Sequence, residues 1–230
     1  MSYVIEPPAI AAVGVAGGGK FPVHRIYCVG RNYAEHAQEM GFTGREPPFF
    51  FMKPADAVVP VAAGETGRMD YPSLTGNLHH EVELVVAIGK GGNRIPASDA
   101  GDHIWGYAVG LDMTRRDLQG EMKKQGRPWC IGKAFDHSAP VGELHPKSST
   151  GELLKGAITL SVNGMLKQSG DLSDLIWSVN ETIEQLSAAW TLQPGDLIFT
   201  GTPAGVGAVE RGDVLEGRIA GIGSLRLAVV

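Results

Sequence analysis

Two acidic side chains lie two positions apart in the most strand-like part of the sequence, residues 77–88. Side chains alternate between the two faces of a strand, so every second residue from Val82 to Ile88 gives one wholly apolar face. Glu81 and Glu83 then point together to the other face. Two like charges on a partly buried face repel and lose hydration, so we expect a positive group between them, and a divalent cation is well suited to that role.

A third acid, Asp112, ends the next strand-like segment, residues 105–112. Gly106, Ala108 and Gly110 share its face and would let another backbone or a ligand approach closely. Two Glu and one Asp are hard oxygen ligands that suit magnesium or manganese, with calcium as a further candidate. The alternative is an edge strand whose Glu side chains are simply hydrated.

His36 and Glu39 lie three residues apart in a segment that has helix signals at both ends. Asn32 with Glu35 has capping-box spacing, and Gly41 is a typical C-cap, so we expect a short helix over residues 32–41. The spacing places both side chains on one face. A carboxylate beside an imidazole raises its basicity, as a general base requires, but a hydrated surface pair fits the same spacing.

Lys133 is flanked by Gly and Ala in a strand-like run over residues 129–136. A lone Lys among small and apolar residues either extends its ammonium to water or holds an anion. His79 and His80 alternate faces beside the two Glu, so at most one of them faces the site, and we expect packing or supporting roles for both.

Two further segments carry candidate substrate-binding residues. Thr114 reads as the N-cap of a helix that continues through Lys124, and Arg116 and Gln119 share one face of it. Thr202 lies in a Gly-rich loop after a strand, where backbone N–H groups and the hydroxyl could bind a carboxylate.

Composition places these residues in one catalytic domain. The chain has 230 residues, 43% of them hydrophobic, and a net charge of −5, which favours neither a nucleic acid nor an anionic membrane surface as partner. Residues 1–24, rich in Pro, Ala and Gly, are expected to form an extended N-terminal arm, and residues 25–230 a single domain.

The remaining elements read as scaffold. We expect a strand at residues 26–29, an Asn-Gly hairpin over residues 158–166 and an amphipathic helix from Leu175 to Leu186. The chain has two cysteines, a beginning unlike a signal peptide and no long apolar run, so we expect a cytoplasmic protein with no membrane span.

Five motifs in order resemble the fumarylacetoacetate hydrolase superfamily over residues 24–230. They are Arg31 to His36, the H-x-E-x-E pattern from His79 to Glu83, Gly110 to Thr114, Gly132-Lys133 and Gly201-Thr202-Pro203. Three longer runs, residues 48–56, 85–92 and 127–133, are similar to the fumarylpyruvate hydrolases of gentisate breakdown.

The resemblance implies an α+β fold, a predominantly β mixed roll of the fumarylacetoacetate hydrolase C-terminal-domain type, usually in a homodimer. It implies a metal, Mg²⁺ or Mn²⁺, held at Glu81, Glu83 and Asp112, and a lid dyad at His36 and Glu39.

It also places the superfamily's catalytic lysine at Lys133. The implied substrate is a small 2,4-diketo acid, with Arg31, Arg116, Gln119 and Thr202 as the expected substrate-binding residues. Hydrolysis of fumarylpyruvate to fumarate and pyruvate is the first interpretation of the activity. Oxaloacetate decarboxylation, keto–enol tautomerisation, acylpyruvate hydrolysis and a non-enzymatic metal-stabilised protein stay open, and Arg31, Lys53, Arg116 and Arg127 are candidates for holding a distal carboxylate.

Overall fold

The computed structural model describes residues 3–33 and 45–230, and most of its regular structure is strand. The first strands are β1 (Ala12–Gly14), β2 (Lys20–Pro22), β3 (Ile26–Val29), β4 (Phe50–Lys53), β5 (Val58–Pro60), β6 (Thr66–Met69), β7 (Leu78–His80), β8 (Val82–Ile88) and β9 (Ile104–Leu111). They are followed by β10 (Thr114–Arg115), β11 (Ala139–Val141), β12 (His145–Pro146), β13 (Ala157–Val162), β14 (Met165–Asp171), β15 (Leu197–Phe199), β16 (Gly207–Val209), β17 (Val214–Ile219) and β18 (Gly223–Val229).

Helices are short within the described ranges. The α-helices there are α1 (Arg116–Lys124), α2 (Cys130–Lys133), α3 (Lys147–Thr150) and α4 (Val179–Ala189). Single 3-10 turns occur at Ala55–Ala57, Ala100–His103 and Leu172–Asp174. In these ranges, every helix falls short of the length and apolar character that a bilayer crossing requires.

The largest sheet has eight strands and carries the acidic residues. Its order is β4-β3-β15-β8-β9-β11-β5, with β12 paired to β9. The pairs β3–β15 and β5–β11 are parallel and the others are antiparallel, so the sheet is mixed.

A five-stranded sheet, in the order β14-β13-β17-β18-β6, packs against one face of the large sheet. The core between them contains the apolar face predicted for residues 82–88, together with Leu160 and Leu215 from the facing sheet. A Cβ at Gly217 would lie 3.1 Å from Val82 Cγ2, so a small residue there allows the sheets to approach closely. The predicted α+β class and mixed β roll are confirmed.

The other face of the large sheet is covered by the N-terminal segment. Strands β1 and β2 pair antiparallel, and Val13 and Phe21 are buried against Val85 and Phe199 in a second apolar cluster. Residues 12–22 thus form a hairpin inside the segment expected to be an extended arm, because its few apolar residues cover a sheet face rather than form a core of their own. The division into an arm and a domain at residue 24 stays a prediction.

The strand predicted over residues 129–136 is wrong. Residues 130–133 form one helical turn, in which Gly132 and Lys133 donate N–H bonds of 2.9 and 3.0 Å to Trp129 O. An alternating strand would place Ile131 and Lys133 on the same face, whereas the turn exposes Ile131 and buries Lys133. Gly132 is needed there because a Cβ would lie 2.8 Å from the backbone of Gln119 on α1.

Both predicted helix starts also need correction. Thr114 lies in β10, paired with His79, and α1 begins at Arg116 without a side-chain cap. The amphipathic helix begins only at Val179, because Ser178 is its N-cap and forms a capping box with Glu181. The Asn-Gly hairpin is confirmed between β13 and β14, where both turn residues have positive φ, 52° and 79°.

Candidate metal and substrate site

Pairing of β8 with β9 brings the three acids together. Val82 lies opposite Leu111 and Glu83 opposite Gly110. The pairing extends one residue further, since Asp112 N–H donates a 2.8 Å hydrogen bond to Glu81 O. Because opposed residues in an antiparallel pair share a face, Glu81, Glu83 and Asp112 all point to the same side. A Cβ at Gly110 would lie 2.4 Å from Val85, so that position must stay small.

The three carboxylates form a compact buried cluster. One oxygen from each of Glu81, Glu83 and Asp112 lies within 4.8 Å of the others, and the three residues are 5%, 1% and 1% exposed. Burial, with the nearby Asp112 and Glu81 charges, raises the pKa of Glu83 well above 4.5, although Lys133 and the Gly201 N–H act in the opposite direction. Such an all-oxygen set fits a hard divalent cation, whose charge would relieve this repulsion.

Glu83 and Asp112 also show how the carboxylates are held in place. Glu83 Oε2 accepts a 2.7 Å bond from Gly201 N–H, at the turn after β15. Gly201 has φ of 105°, and a Cβ there would lie 2.7 Å from Asn32, so glycine is required. Asp112 Oδ1 is buried and accepts no well-directed hydrogen bond, although Lys53 Nζ lies 2.8 Å away as an ion pair.

Lys133 places its ammonium on the carboxylate cluster. Its Nζ donates to Glu81 Oε2 at 2.8 Å, Asp112 Oδ2 at 2.6 Å and Thr114 Oγ1 at 2.7 Å, which uses all three N–H bonds. Burial alone would lower its pKa, but the Asp112 and Glu81 charges outweigh that effect and raise it. Of the two roles left open by the sequence, the structure shows the ammonium held by anions.

Lys53 has a role that the sequence did not indicate. Considered there as a clamp for a distal carboxylate, it is 1% exposed and bonds to Asp112, to the Met113 carbonyl at 3.2 Å and to the Lys133 carbonyl. It therefore supports the cluster from behind and links it to the end of α2. The only sequence signal was a Lys between Met52 and Pro54 in a strand-like run.

Arg116 and Gln119, both expected to bind substrate, lie on the first turns of α1 beside Glu81. Arg116 forms an ion pair with Glu81 and donates to Gln119 Oε1 at 2.6 Å and to His79 Nδ1 at 3.3 Å. Burial, followed by the Arg116 charge, lowers the pKa of His79 to about 4, so His79 is neutral near pH 7. This supporting role matches the one expected for it.

Thr202, another expected substrate-binding residue, is buried and turned toward the protein. Its hydroxyl oxygen accepts a 2.8 Å bond from Gln168 Nε2. The Gln168 carbonyl in turn bonds to the His80 ring at 2.9 Å and accepts from the Val82 N–H at 3.1 Å. Gln168 was not singled out in the sequence, since its role depends on β14 passing beside the start of β8.

A pocket of about 600 Å³ opens next to the cluster. Its described lining consists of Phe49, residues 50–52 on β4, residues 127–130 leading into α2, Arg31 and Lys133. Lys133 thus connects the pocket to Glu81 and Asp112. Arg31, one of the predicted substrate-binding residues, lies on the pocket wall, with its guanidinium 5.0 Å from the Phe49 ring.

The expected lid helix over residues 32–41, with its catalytic pair His36 and Glu39, falls mostly outside the described residues. Asn32, its expected cap, is described and fully buried. Its amide donates to the carbonyls of Trp177 and Thr200 at 2.9 and 2.8 Å.

Comparison with known proteins supports the same site chemistry. The family model described as fumarylacetoacetate (FAA) hydrolase C-terminal matches residues 25–230. The structure of fumarylpyruvate hydrolase from Pseudomonas aeruginosa in complex with Mn²⁺ and pyruvate superimposes with a TM-score of 0.98, at 59% identity, over 100% of this chain and 99% of that one.

Two curated relatives carry different activities. A fumarylpyruvate hydrolase from Ralstonia sp is 47% identical over 184 residues, 80% of this chain and 93% of the relative. A mitochondrial oxaloacetate tautomerase from Rattus norvegicus is 45% identical over 204 residues, 89% of this chain and 90% of the relative. The acidic cluster of this chain is consistent with a divalent cation site, and the solved relative from Pseudomonas aeruginosa contains Mn²⁺.

Proposed function

This chain belongs to the fumarylacetoacetate hydrolase C-terminal family, and on that premise we propose that it hydrolyses the carbon–carbon bond of a 2,4-diketo acid, with fumarylpyruvate as the substrate and fumarate and pyruvate as products. The observation that carries the proposal is the buried cluster of Glu81, Glu83 and Asp112, which Lys133 connects to the pocket. Similarity to a relative solved with Mn²⁺ and pyruvate supports the same conclusion. With its active-site chemistry, the chain is an enzyme rather than a metal-stabilised structural protein.

The cation, when bound, supplies positive charge that favours the enolate form of a keto acid. Glu81, Glu83 and Asp112 would hold it. Lys133 has its ammonium at the boundary between these carboxylates and the pocket, where its positive charge would stabilise negative charge that develops on a substrate oxygen.

Hydrolysis further requires a base for the attacking water. By the family resemblance, His36 takes a proton from water and Glu39 keeps the imidazole basic and oriented. The water oxygen bonds to the distal ketone carbon, the adjacent carbon–carbon bond breaks, and its electron pair leaves on the pyruvate fragment as an enolate. Protonation of that enolate gives pyruvate, and the other fragment leaves as a carboxylic acid.

The described contacts divide the predicted substrate-binding residues into two groups. Arg31 lies on the pocket wall and contributes positive charge there. Arg116, Gln119 and Thr202 are held by protein partners, so we assign them to shaping the cation end of the site rather than the pocket wall.

The second candidate function is oxaloacetate tautomerisation or decarboxylation, favoured by the 45% identity to an oxaloacetate tautomerase. Both reactions use an enolate but need no attacking water. Acylpyruvate hydrolysis would use the same machinery on a substrate without a second carboxylate. A homodimer, a cytoplasmic location and a place in gentisate breakdown are part of the proposal and rest on the family resemblance.

A turnover panel separates these functions. Fumarylpyruvate, maleylpyruvate, acetylpyruvate and oxaloacetate should be assayed with Mg²⁺ or Mn²⁺ and after chelation, with oxaloacetate followed for both enol conversion and carbon dioxide release. We expect fumarylpyruvate to have the highest kcat/KM and chelation to abolish its cleavage. No cleavage of any diketo acid, with rapid turnover of oxaloacetate, would make the second function the correct one.

The base assignment is tested with His36→Gln, which keeps approximate size but loses basicity. We expect fumarylpyruvate cleavage to fall about 100- to 10,000-fold, with a smaller loss for Glu39→Gln and a much smaller loss for any oxaloacetate activity. The exposed His137→Gln serves as the matched control and should keep the parental rate. Parental hydrolysis by His36→Gln would exclude His36 as the base.

A further inference from the structure

The pocket beside the carboxylate cluster has a cationic lining. Three of its described lining residues, Arg31, Arg127 and Lys133, carry positive charge, and none of the others described there is acidic. Such a lining attracts an anion.

The three cationic side chains differ in the hydrogen bonds and ion pairs that they make with protein groups. Lys133 gives all its N–H bonds to protein oxygens, and Arg31 faces Glu46 at 3.8 Å besides lying over Phe49. Arg127 is exposed and takes part in none of the ion pairs found among residues 3–33 and 45–230. Its guanidinium is therefore the one most able to bind an incoming carboxylate.

The backbone of Arg127 is held firmly at the end of α1. Gly126 has φ of 64°, its N–H bonds to Lys123 O at 3.3 Å, and the Arg127 N–H bonds to Met122 O at 2.9 Å. These two bonds are those of a Schellman motif, and Pro128 restricts the chain immediately afterwards. The position from which the Arg127 side chain extends is therefore fixed by the backbone before a ligand binds.

Helix α1 also relates Arg127 to the cation end of the site. Arg116, in its first turn, forms an ion pair with Glu81, and Arg127 follows its last turn. The helix rises about 12 Å from its first to its last residue. One rigid element thus joins the carboxylate cluster to the pocket wall.

The pocket wall beside Arg127 suits a flat, unsaturated chain. Trp129 packs against Phe49 with ring centroids 5.3 Å apart and against Phe51 at 6.0 Å, and all three rings line the pocket. An apolar aromatic wall favours a conjugated hydrocarbon segment, whereas the arginine at its edge favours a charged terminus.

We propose that Arg127 binds a second, distal carboxylate of the substrate and so determines a preference for dicarboxylic over monocarboxylic 2,4-diketo acids. This rests on the proposed function and names the residue that selects its substrate. The other cations considered from the sequence are used elsewhere, since Lys53 is buried against Asp112 and Arg116 is paired with Glu81.

The test compares Arg127→Met and Arg127→Lys with the parent on two substrates. Fumarylpyruvate has the distal carboxylate and acetylpyruvate lacks it. We expect Arg127→Met to lower kcat/KM for fumarylpyruvate about 10- to 150-fold, mainly through KM, and to change that for acetylpyruvate less than threefold. Arg127→Lys should recover part of the loss. Lys124→Met, which removes an exposed charge near the same helix end, is the matched control.

A binding measurement keeps the inference separate from the proposed activity. The affinities of fumarate and of crotonate, which lacks one carboxylate, are measured by calorimetry on the Mn²⁺-loaded protein. We expect the parent to prefer fumarate and Arg127→Met to lose that preference. If the parent does not cleave fumarylpyruvate but this loss occurs, the proposed function fails and the distal site stands. Equal losses on both substrates, or an unchanged fumarate preference, would overturn the role of Arg127.

Discussion

Replacing Glu83 by Gln should make the metal-free protein more stable and, at the same time, remove most of its affinity for a divalent cation. Glu83 is 1% exposed and lies among the Glu81 and Asp112 carboxylates. Gln has the same size, and its amide oxygen can accept the 2.7 Å bond that Gly201 N–H donates to Glu83. The substitution therefore removes the ionisable group and little else.

The size of the stability gain follows from the pKa of Glu83. Burial and the neighbouring carboxylates raise this pKa well above its ordinary value of 4.5. The folded protein then holds a proton that the unfolded chain releases, so the free energy of unfolding is greatest below pH 4.5 and falls as pH rises toward the raised pKa. Each pH unit in that window costs about 1.4 kcal/mol, so the interval from pH 4.5 to pH 7 limits the total cost to about 3.4 kcal/mol. Gln carries no such cost.

Urea unfolding in EDTA at pH 5 and pH 7 measures the effect. We expect Glu83→Gln to be within about 1 kcal/mol of the parent at pH 5 and more stable than the parent at pH 7, by up to about 3.4 kcal/mol. Thermal unfolding should show the same order, at about 2–4 °C per kcal/mol for a chain of this length. Glu65→Gln, at an exposed loop position, is the control and should change neither value.

Mn²⁺ should reverse the order of the two proteins. At 100 times its dissociation constant, a ligand stabilises the folded state by about 2.7 kcal/mol. If losing a charged ligand weakens binding about 100-fold, the same Mn²⁺ concentration stabilises Glu83→Gln by only about 0.4 kcal/mol. The reasoning would be refuted by a variant no more stable than the parent at pH 7 in EDTA, or by equal Mn²⁺ stabilisation of both proteins.

Three further predictions concern the same cluster. Lys133→Met should lower the free energy of unfolding in EDTA by about 3–5 kcal/mol, because Glu81 and Asp112 lose a buried ion pair. An unchanged midpoint of urea unfolding at pH 7 would contradict this prediction. Mn²⁺ affinity should increase with pH, because binding must displace the proton that Glu83 retains at its raised pKa. Calorimetry in buffers of different ionisation enthalpy should detect the released proton. If no proton is released, Glu83 is not the group that binding deprotonates. Gly201→Ala should lower the free energy of unfolding by about 1–2 kcal/mol, because Gly201 has φ of 105°. It should also weaken Mn²⁺ binding by displacing the N–H that holds Glu83. A variant with parental stability and affinity would show that this turn does not require glycine.

The sequence alone predicted the features that depend on local periodicity. Alternation from Val82 to Ile88 places Glu81 and Glu83 on one face in any strand, and the structure has this strand with the apolar face in the core. The Asn-Gly hairpin was equally local, since its turn type follows from residues that tolerate positive φ. Where periodicity was short it misled, because residues 129–136 fit a strand and a helical turn equally well.

Contacts between distant segments were decided only by the tertiary structure. Lys53 and Arg116 were candidates for the same distal role as Arg127, and nothing in their neighbouring residues separates the three. Folding buries Lys53 against Asp112 and places Arg116 on Glu81, which leaves Arg127 on the pocket wall together with Arg31. The sequence determines the charge of a side chain. The opposite charge that it contacts depends on strand order and helix packing between distant segments. The role of that side chain depends on the same contacts.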